Sequence, residues 1–250
     1  MAGVGGKFTQ RLLVDAGIAD GMRVLDIGCG SGDVALMVAA LVGERGEVVG
    51  VDRDPSALAM ACQRATEAGF ANASFIEGGF AALDAGEAPF DAVVGRRVLM
   101  YQREPIESVA ALAGRLRAGG LIAFQEHDAS IMPASRVPMP LHSLVQGWMR
   151  ETVMAEGANT HIGFDLHSIV SQAGLLVEEV RAEAIVMTAQ QPYPAATIIR
   201  AMLPRILRHG VASEREIDID TLEARLAEER QTAGATYLAD MMFGIWARKA

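Results

Sequence analysis

Apolar and polar positions alternate in short blocks through the first half of the chain and lose that rhythm in the second. Residues 23–27 (RVLDI) form a short apolar run that stops at glycines, the pattern of a buried strand. Residues 33–42 are apolar almost all round and rich in Ala and Leu, which predicts a buried helix. Residues 47–52 (EVVGVD) predict a second strand with β-branched residues. Asp54-Pro55 opens a helix over 55–68, with Pro in its first turn and Gly69 just past its end. Residues 73–77 and 91–95 predict a third and a fourth strand. Ile106, Val109, Ala110, Ala113 and Leu116 recur at helical spacing over 104–117; Ala118-Gly119-Gly120 ends that helix, and 121–126 is a fifth strand.

Strands separated by helices of this length imply right-handed crossovers, a parallel sheet and helices on both of its faces. In the second half, residues 130–142 carry three prolines and predict a loop, followed by a helix over about 141–156 and a short helix over 165–173. Residues 176–188 and 238–247 predict two last strands paired with each other. Between them, 192–234 is helical with breaks at Pro204 and Gly210. No repeat or linker stands out, so the expectation is a single domain over 1–250. Cap or substrate segments are expected at about 130–165 and 190–235.

Composition narrows the class. Of 250 residues, 51% are hydrophobic and 21% charged, which excludes bulk disorder. Two cysteines cannot build a disulfide framework, and with no apolar leader the expectation is a cytoplasmic protein. No apolar run approaches the roughly 18 residues of a membrane helix. A net charge of −9 without a Lys/Arg cluster argues against nucleic acid as a partner. The expected partner is a small-molecule acceptor, in a monomer or homodimer.

The most informative stretch is Val24-Leu25-Asp26-Ile27-Gly28-Cys29-Gly30-Ser31-Gly32-Asp33. A glycine turn leading into a helix offers free N–H groups to a ligand. A dinucleotide fingerprint would place its third glycine where this chain has Asp33, and an acid there repels a pyrophosphate. It suits an amine or a sulfonium instead. Asp26 adds a second carboxylate, and Asp52, about 20 residues past the turn, stands where an acid takes both ribose hydroxyls. Such a site wants a ribose, a cationic or zwitterionic tail and no diphosphate. S-adenosylmethionine has those parts. The ordinary alternative is that Asp26 and Asp33 cap backbone N–H groups.

VLDIGCGSGD resembles the cofactor loop of the class I S-adenosylmethionine-dependent methyltransferases. VVGVDRDP (48–55), FIEGGF (75–80), FDAVVGRRVLMY (90–101) and LRAGGLIAF (116–124) resemble later segments of that family, in the same order. The resemblance implies an α/β fold: a Rossmann-like, seven-stranded, mostly parallel sheet with an antiparallel C-terminal hairpin and helical cap additions. It implies S-adenosyl-L-methionine as cofactor. Asp26 would reach the amino end of the methionine moiety through water or backbone, and Gly28, Cys29, Gly30 and Gly32 would wrap that moiety. Asp52 would hold the ribose, with Arg53 beside the adenine, and the backbone around Arg96 would bind near the ammonium group. Many relatives have Asp where this chain has Gly79, so the base would be held by Gly78, Gly79 and Phe80.

In methyl transfer the protein supplies alignment, and a hydroxyl acceptor needs a base. His127 follows the fifth strand between Glu126 and Asp128 and is the first candidate base. Tyr101, at the mouth of the same cleft, and His161 and His142, in the covering segments, are further candidates to act on or bind the acceptor. Arg96 and Arg97 could hold an acidic substrate. Met132, Met139, Met149 and Met154 gather with Trp148 and suit an apolar acceptor, although plain core filling explains them too. Glu126-His127-Asp128 alternate sides on an extended chain, so no metal is expected. The expected activity is methyl transfer to O or N of a small organic acceptor, with a natural-product-like molecule among those that suit it. An enzyme of the same fold that uses the cofactor in a non-methylating reaction such as cyclisation would carry the same loop.

Overall fold

A computed structural model describes residues 4–79, 89–131 and 133–250. In chain order the elements are α1 (Val4–Asp15), β1 (Arg23–Ile27), α2 (Asp33–Val42), β2 (Glu47–Asp52), α3 (Pro55–Ala68), β3 (Ala73–Glu77) and β4 (Phe90–Arg96). A 3-10 turn (Leu99–Tyr101), α4 (Pro105–Ala113), β5 (Leu116–Asp128), β6 (Ala134–Ser135), α5 (Pro140–Ala155) and α6 (Ile162–Gln172) follow. The chain then forms β7 (Leu176–Met187), α7 (Ala195–Arg208), α8 (Glu214–Ile217), α9 (Leu222–Ala233) and β8 (Tyr237–Arg248).

The strands pair in the order β3-β2-β1-β4-β5-β8-β6, with β7 beside β8. β1 to β5 are parallel, and β7 and β8 form an antiparallel C-terminal pair. The chain folds into two compact units, residues 1–126, 162–182 and 243–250 in the first and 127–161 and 183–242 in the second. The expected cap segments lie largely within the second.

In the first unit the central strands read as continuous apolar runs because helices cover both faces. Val24, Leu25, Val48, Val51, Ala92, Val93, Val94 and Ile122 are at most 1% exposed. α2 packs on β1 and β2, α3 on β2 and β3, and α4 on α6. α1 lies against α2 and buries Phe8, Leu12 and Leu13. In the second unit α5, α7 and α9 pack together. The two-residue β6 pairs with the start of β8 (Ala134↔Leu238, Ser135↔Tyr237), which makes the sheet eight-stranded rather than seven-stranded.

Three boundaries differ from the sequence reading. α4 stops at Ala113, and β5 starts at Leu116, inside the span read as helix. Leu116 is buried opposite Phe90, and Arg117 pairs with Asp91 of β4 (Nε–Oδ1 2.6 Å), so sheet contacts claim residues that local periodicity gives to the helix. α7 continues through Pro204. Its buried face (Ala195, Ala196, Ile199, Met202, Ile206) holds the helix together across the one hydrogen bond that Pro cannot make. α1 has no counterpart in the sequence reading.

α6 approaches β8 through a glycine. A Cβ on Gly163 would fall 2.4 Å from Cδ2 of Phe243, whose ring also stacks at 5.2 Å on Phe164. Gly163→Ala is therefore expected to lower the unfolding free energy by about 1–3 kcal/mol, the usual cost of overpacking. Urea unfolding checks this, and an unchanged midpoint would contradict the packing described.

Candidate active site

The carboxyl ends of β1, β2, β3 and β4 converge in the first unit, where the strand order reverses between β1 and β4. Ligands of open α/β sheets bind at such a point. After β1 the chain turns through Gly28 (φ 67°), Gly30 (φ 51°) and Gly32 (φ 84°), a left-handed conformation that a side chain strains. The Gly28 and Cys29 N–H groups donate to the Val51 carbonyl (2.7 and 3.0 Å), which ties the turn to β2. A Cβ on Gly28 would sit 2.3 Å from Cγ1 of Val98, so the turn and the loop after β4 interlock there. Above Gly30 the space is open.

Beside this turn lies a cavity of about 300 Å³. It gathers Gly28, Asp52, Arg53, Gly78 and Gly79 of the expected cofactor residues, together with Tyr101. Its remaining wall is Ile27, Val51, Arg97, Val98 and Gln102. Asp26, Cys29, Gly30, Gly32 and Arg96 stand outside that lining, and Phe80 lies outside the described residues.

Asp26 is fully buried, and neither of its carboxylate oxygens has a hydrogen-bond partner among the described residues. Burial pushes its pKa up to about 7; the Arg96 charge and the Ala35 N–H, the latter outside standard hydrogen-bond geometry, draw it partly back. Asp26 therefore makes no standard capping hydrogen bond, although the Ala35 N–H in the first turn of α2 favours its charged form. Asp33 caps nothing, since the N-cap of α2 is Gly32 without a side-chain bond. Asp33 instead pairs with Arg64 (2.8 Å) and Arg96 (2.9 Å). Burial works against its charge, but the Arg64 and Arg96 hydrogen bonds and charges outweigh it and hold the carboxyl below its usual range. The acid expected to keep a pyrophosphate away is thus matched by two arginines, and Asp26, under the charge of Arg96, is the one without a hydrogen bond among the described residues.

Asp52 is a hub. Its Oδ2 accepts from the Gly30 N–H (2.8 Å), its Oδ1 from the Asp54 N–H (2.9 Å), and its backbone carbonyl from the Gly78 N–H (2.8 Å). Each carboxylate oxygen keeps a lone pair for a further donor. Arg53 lies over Gly79: a Cβ there would come within 2.8 Å of Nε. The missing side chain at 79 makes room for that guanidinium. Cys29 is buried, and burial pushes its thiol pKa up, so it is a packing group rather than a nucleophile.

The loop after β4 carries Arg97 at φ 60°, an uncommon conformation for a residue with a side chain. Its N–H donates to the Gln125 carbonyl (2.8 Å). Tyr101 ends the 3-10 turn and is 41% exposed. Glu126 is fully buried; its Oε1 accepts from the N–H groups of Val98 (2.9 Å) and Leu99 (2.8 Å). Burial pushes its pKa up to about 7 against those two bonds and the Arg97 charge.

His127 opens the second unit, two residues beyond Gln125 on the same strand. Its Nδ1 lies 2.8 Å from Oδ2 of Asp240, a partner from β8 rather than from the flanking Glu126 or Asp128. His161 is exposed, with its backbone N–H donating to Asn159. His142 is buried, with Nδ1 2.6 Å from Glu229, which also accepts the Leu141 and His142 N–H groups at the start of α5. It is an internal hydrogen-bonding partner of Glu229 and not a surface ligand. Met139 and Trp148 are buried, while Met154 is 47% exposed; Met132 lies outside the described residues. Among the described residues no group of three His, Cys, Asp or Glu could hold a metal ion, and no helix is long and apolar enough to cross a membrane.

A parallel sheet in this strand order, with an antiparallel C-terminal pair, a glycine turn at the reversal and an acid ending the second strand, defines a Rossmann-like methyltransferase fold. The family model described as "methyltransferase domain" matches residues 18–181, and the chain belongs to that family, in the class I S-adenosylmethionine-dependent group. It is 37% identical over 122 residues to an arsenite methyltransferase of Aquipseudomonas alcaligenes, covering 46% of this chain and 35% of that protein. It is 33% identical over 158 residues to a ribosomal protein L11 methyltransferase of Ralstonia nicotianae, covering 59% and 49%. The chain thus spans between about a third and a half of the length of these curated relatives. Among solved structures, the YcgJ protein of Bacillus subtilis superposes with a TM-score of 0.63 at 19% identity, over 97% of this chain and 98% of that one, a likeness of fold.

The Asp26 carboxylate has a measurable cost in the ligand-free protein. Its folded pKa of about 7 lies above the ordinary 3.8, so the folded state binds its proton more tightly than the unfolded state. Stability is then full below pH 4 and declines as pH rises toward 7. Asp26→Asn removes that decline but buries an amide, so it is expected to be more stable than the parent by about 1–2 kcal/mol at pH 8. At pH 4 that advantage should vanish. Urea unfolding at the two pH values tests it; a variant-to-parent difference that ignores pH would contradict the assignment.

Proposed function

We propose that this chain transfers the methyl group of S-adenosyl-L-methionine to an O or N atom of a small organic acceptor. The observation that carries the reading is the buried, unmatched Asp26 carboxylate beneath the glycine turn, beside a cavity edged by Asp52. An unpaired internal charge is expensive unless a ligand completes it. The residues fit the cofactor: open space above Gly30, free lone pairs on Asp52 and a buried carboxyl behind the glycine turn that can act on an ammonium through water or backbone. When bound, the cofactor supplies an electrophilic methyl on positive sulfur.

In this reading Asp26 polarises the amino end of the methionine moiety through water or backbone, and the backbone of Gly28, Cys29, Gly30 and Gly32 wraps that moiety. Asp52 takes the ribose hydroxyls. Arg53, Gly78 and Gly79 bound the adenine, and the backbone at Arg96 lies near the ammonium. His127 is the proposed base. With its proton on Nδ1 the ring donates to Asp240 and presents Nε2, a pairing that fixes its tautomer and orientation. Tyr101 offers a phenol at the cavity wall for the acceptor. His161, exposed and without a tuning partner among the described residues, is at most an acceptor contact. The net charge of −9 supports a small molecule over nucleic acid as acceptor.

Asp52→Ala is expected to weaken binding of S-adenosylhomocysteine by about 1–3 kcal/mol, the scale of lost charge-assisted hydrogen bonds. Calorimetry measures it, and unchanged affinity would remove the ribose assignment. With a hydroxyl acceptor found by screening for S-adenosylhomocysteine release, His127→Ala should lower kcat by about 10²-fold or more while leaving cofactor affinity intact. Asp240→Asn should lower kcat less. An unaltered kcat in His127→Ala would exclude it as the base.

A further inference from the structure

The 3-10 turn Leu99–Tyr101 begins without a cap of its own, because Val98 at its N-cap position has no polar side chain. Its first N–H groups are satisfied from the neighbouring strand. One oxygen of Glu126, on β5, accepts from both Val98 (2.9 Å) and Leu99 (2.8 Å). The other oxygen is buried and has no partner among the described residues. The same stretch of chain supplies Arg97, Val98, Tyr101 and Gln102 to the cavity wall. Arg97 is held in its left-handed conformation by the bond from its N–H to Gln125, the residue before Glu126. Val98 in turn fills the space that a side chain at Gly28 would need. Two adjacent residues of β5 therefore grip three successive N–H groups of this loop, and the loop is keyed into the glycine turn.

We propose that Glu126 is a positioning residue of the donor site: by reach rather than charge, its carboxylate sets the height at which the Arg97–Tyr101 wall closes on the Gly28 turn. The inference rests on the reading that this cavity takes S-adenosylmethionine. A hydrophobic residue at 126 would fill the same volume but leave two buried N–H groups unmet. A carboxylate one methylene shorter would keep the charge but draw the wall out of register by about 1.5 Å, one C–C bond. Displacements of that size are costly wherever a ligand must be aligned.

The test combines calorimetry of S-adenosylhomocysteine with amide hydrogen exchange on the full chain and its Glu126→Gln, Glu126→Asp and Glu126→Ala variants. Gln keeps an oxygen at the same reach, so its affinity should stay within about threefold of the parent. Asp and Ala should bind about tenfold more weakly or worse, the scale of losing two backbone bonds. In those two the Val98 and Leu99 amides should exchange faster, while the amides of Ala92, Val93 and Val94 keep their protection. Parent-like affinity in Asp and Ala would overturn the proposal, as would a Gln variant as weak as Ala. If Ala does not fold, the contrast between Gln and Asp decides alone. If the parent itself binds no S-adenosylhomocysteine, the functional reading fails, and the clamp is still judged by the exchange at Val98 and Leu99.

Discussion

A buried carboxylate without a hydrogen bond among the described residues organises this site. Asp26 lies in the most completely buried strand of the sheet, closed off by α2, with neither oxygen paired. Burial holds its pKa near neutrality, so around pH 7 the group is poised between charged and neutral. Its strand neighbours Leu25 and Ile27, on the opposite face of the sheet, are plain core residues. The arrangement is intelligible if folding is not the only state that counts, and a cationic ligand supplies what the protein withholds. The nearby acid Asp33, by contrast, is matched by Arg64 and Arg96 and so contributes order rather than appetite.

The rest of the site is a device for holding backbone still around that charge. Asp52 binds the Gly30 N–H and so joins the turn to the end of β2. The Val51 carbonyl takes two more N–H groups of the turn. On the far side, Val98 locks against Gly28, and Glu126 anchors Val98 and Leu99 from β5. Apart from the Val98–Gly28 contact, each of these ties is to the carboxyl-terminal part of a strand, so the stiffness of the parallel sheet passes to the loops. The sheet is the reason a turn of glycines, intrinsically the most mobile of sequences, can present a fixed surface.

The architecture was legible where local pattern and tertiary demand agree. β1, α2, β2 and α3 show clear apolar runs bounded by glycine and proline, and Asp52 stands at the spacing that a ribose-binding acid needs. Legibility failed where partners are distant in sequence. The helical spacing of Phe8, Leu12, Leu13 and Ala16 was present, but Gly5-Gly6 obscured it, and tertiary contacts with α2, β5 and β8 make α1 a firm element. The start of β5 was hidden because Leu116 suits both a helix face and a strand. His127 was visible as a candidate base, yet its partner Asp240 lies 113 residues away, and no periodicity announces such a pair. Glu126 read as a flanking acid of that histidine, whereas its side chain serves the opposite purpose of capping a neighbouring loop. Arg53 over Gly79 is a pairing of a large and an absent side chain, which only coordinates reveal.

The most direct test of the central claim is the proton count of cofactor binding. If the positive amino end of the ligand is received by Asp26, binding must lower the pKa of that carboxyl and release protons near pH 7. Calorimetry of S-adenosylhomocysteine in buffers of different ionisation enthalpy measures that number. The parent protein is expected to release a fraction of a proton at pH 7, and Asp26→Asn none attributable to this site. Equal proton release in the two proteins would contradict the claim.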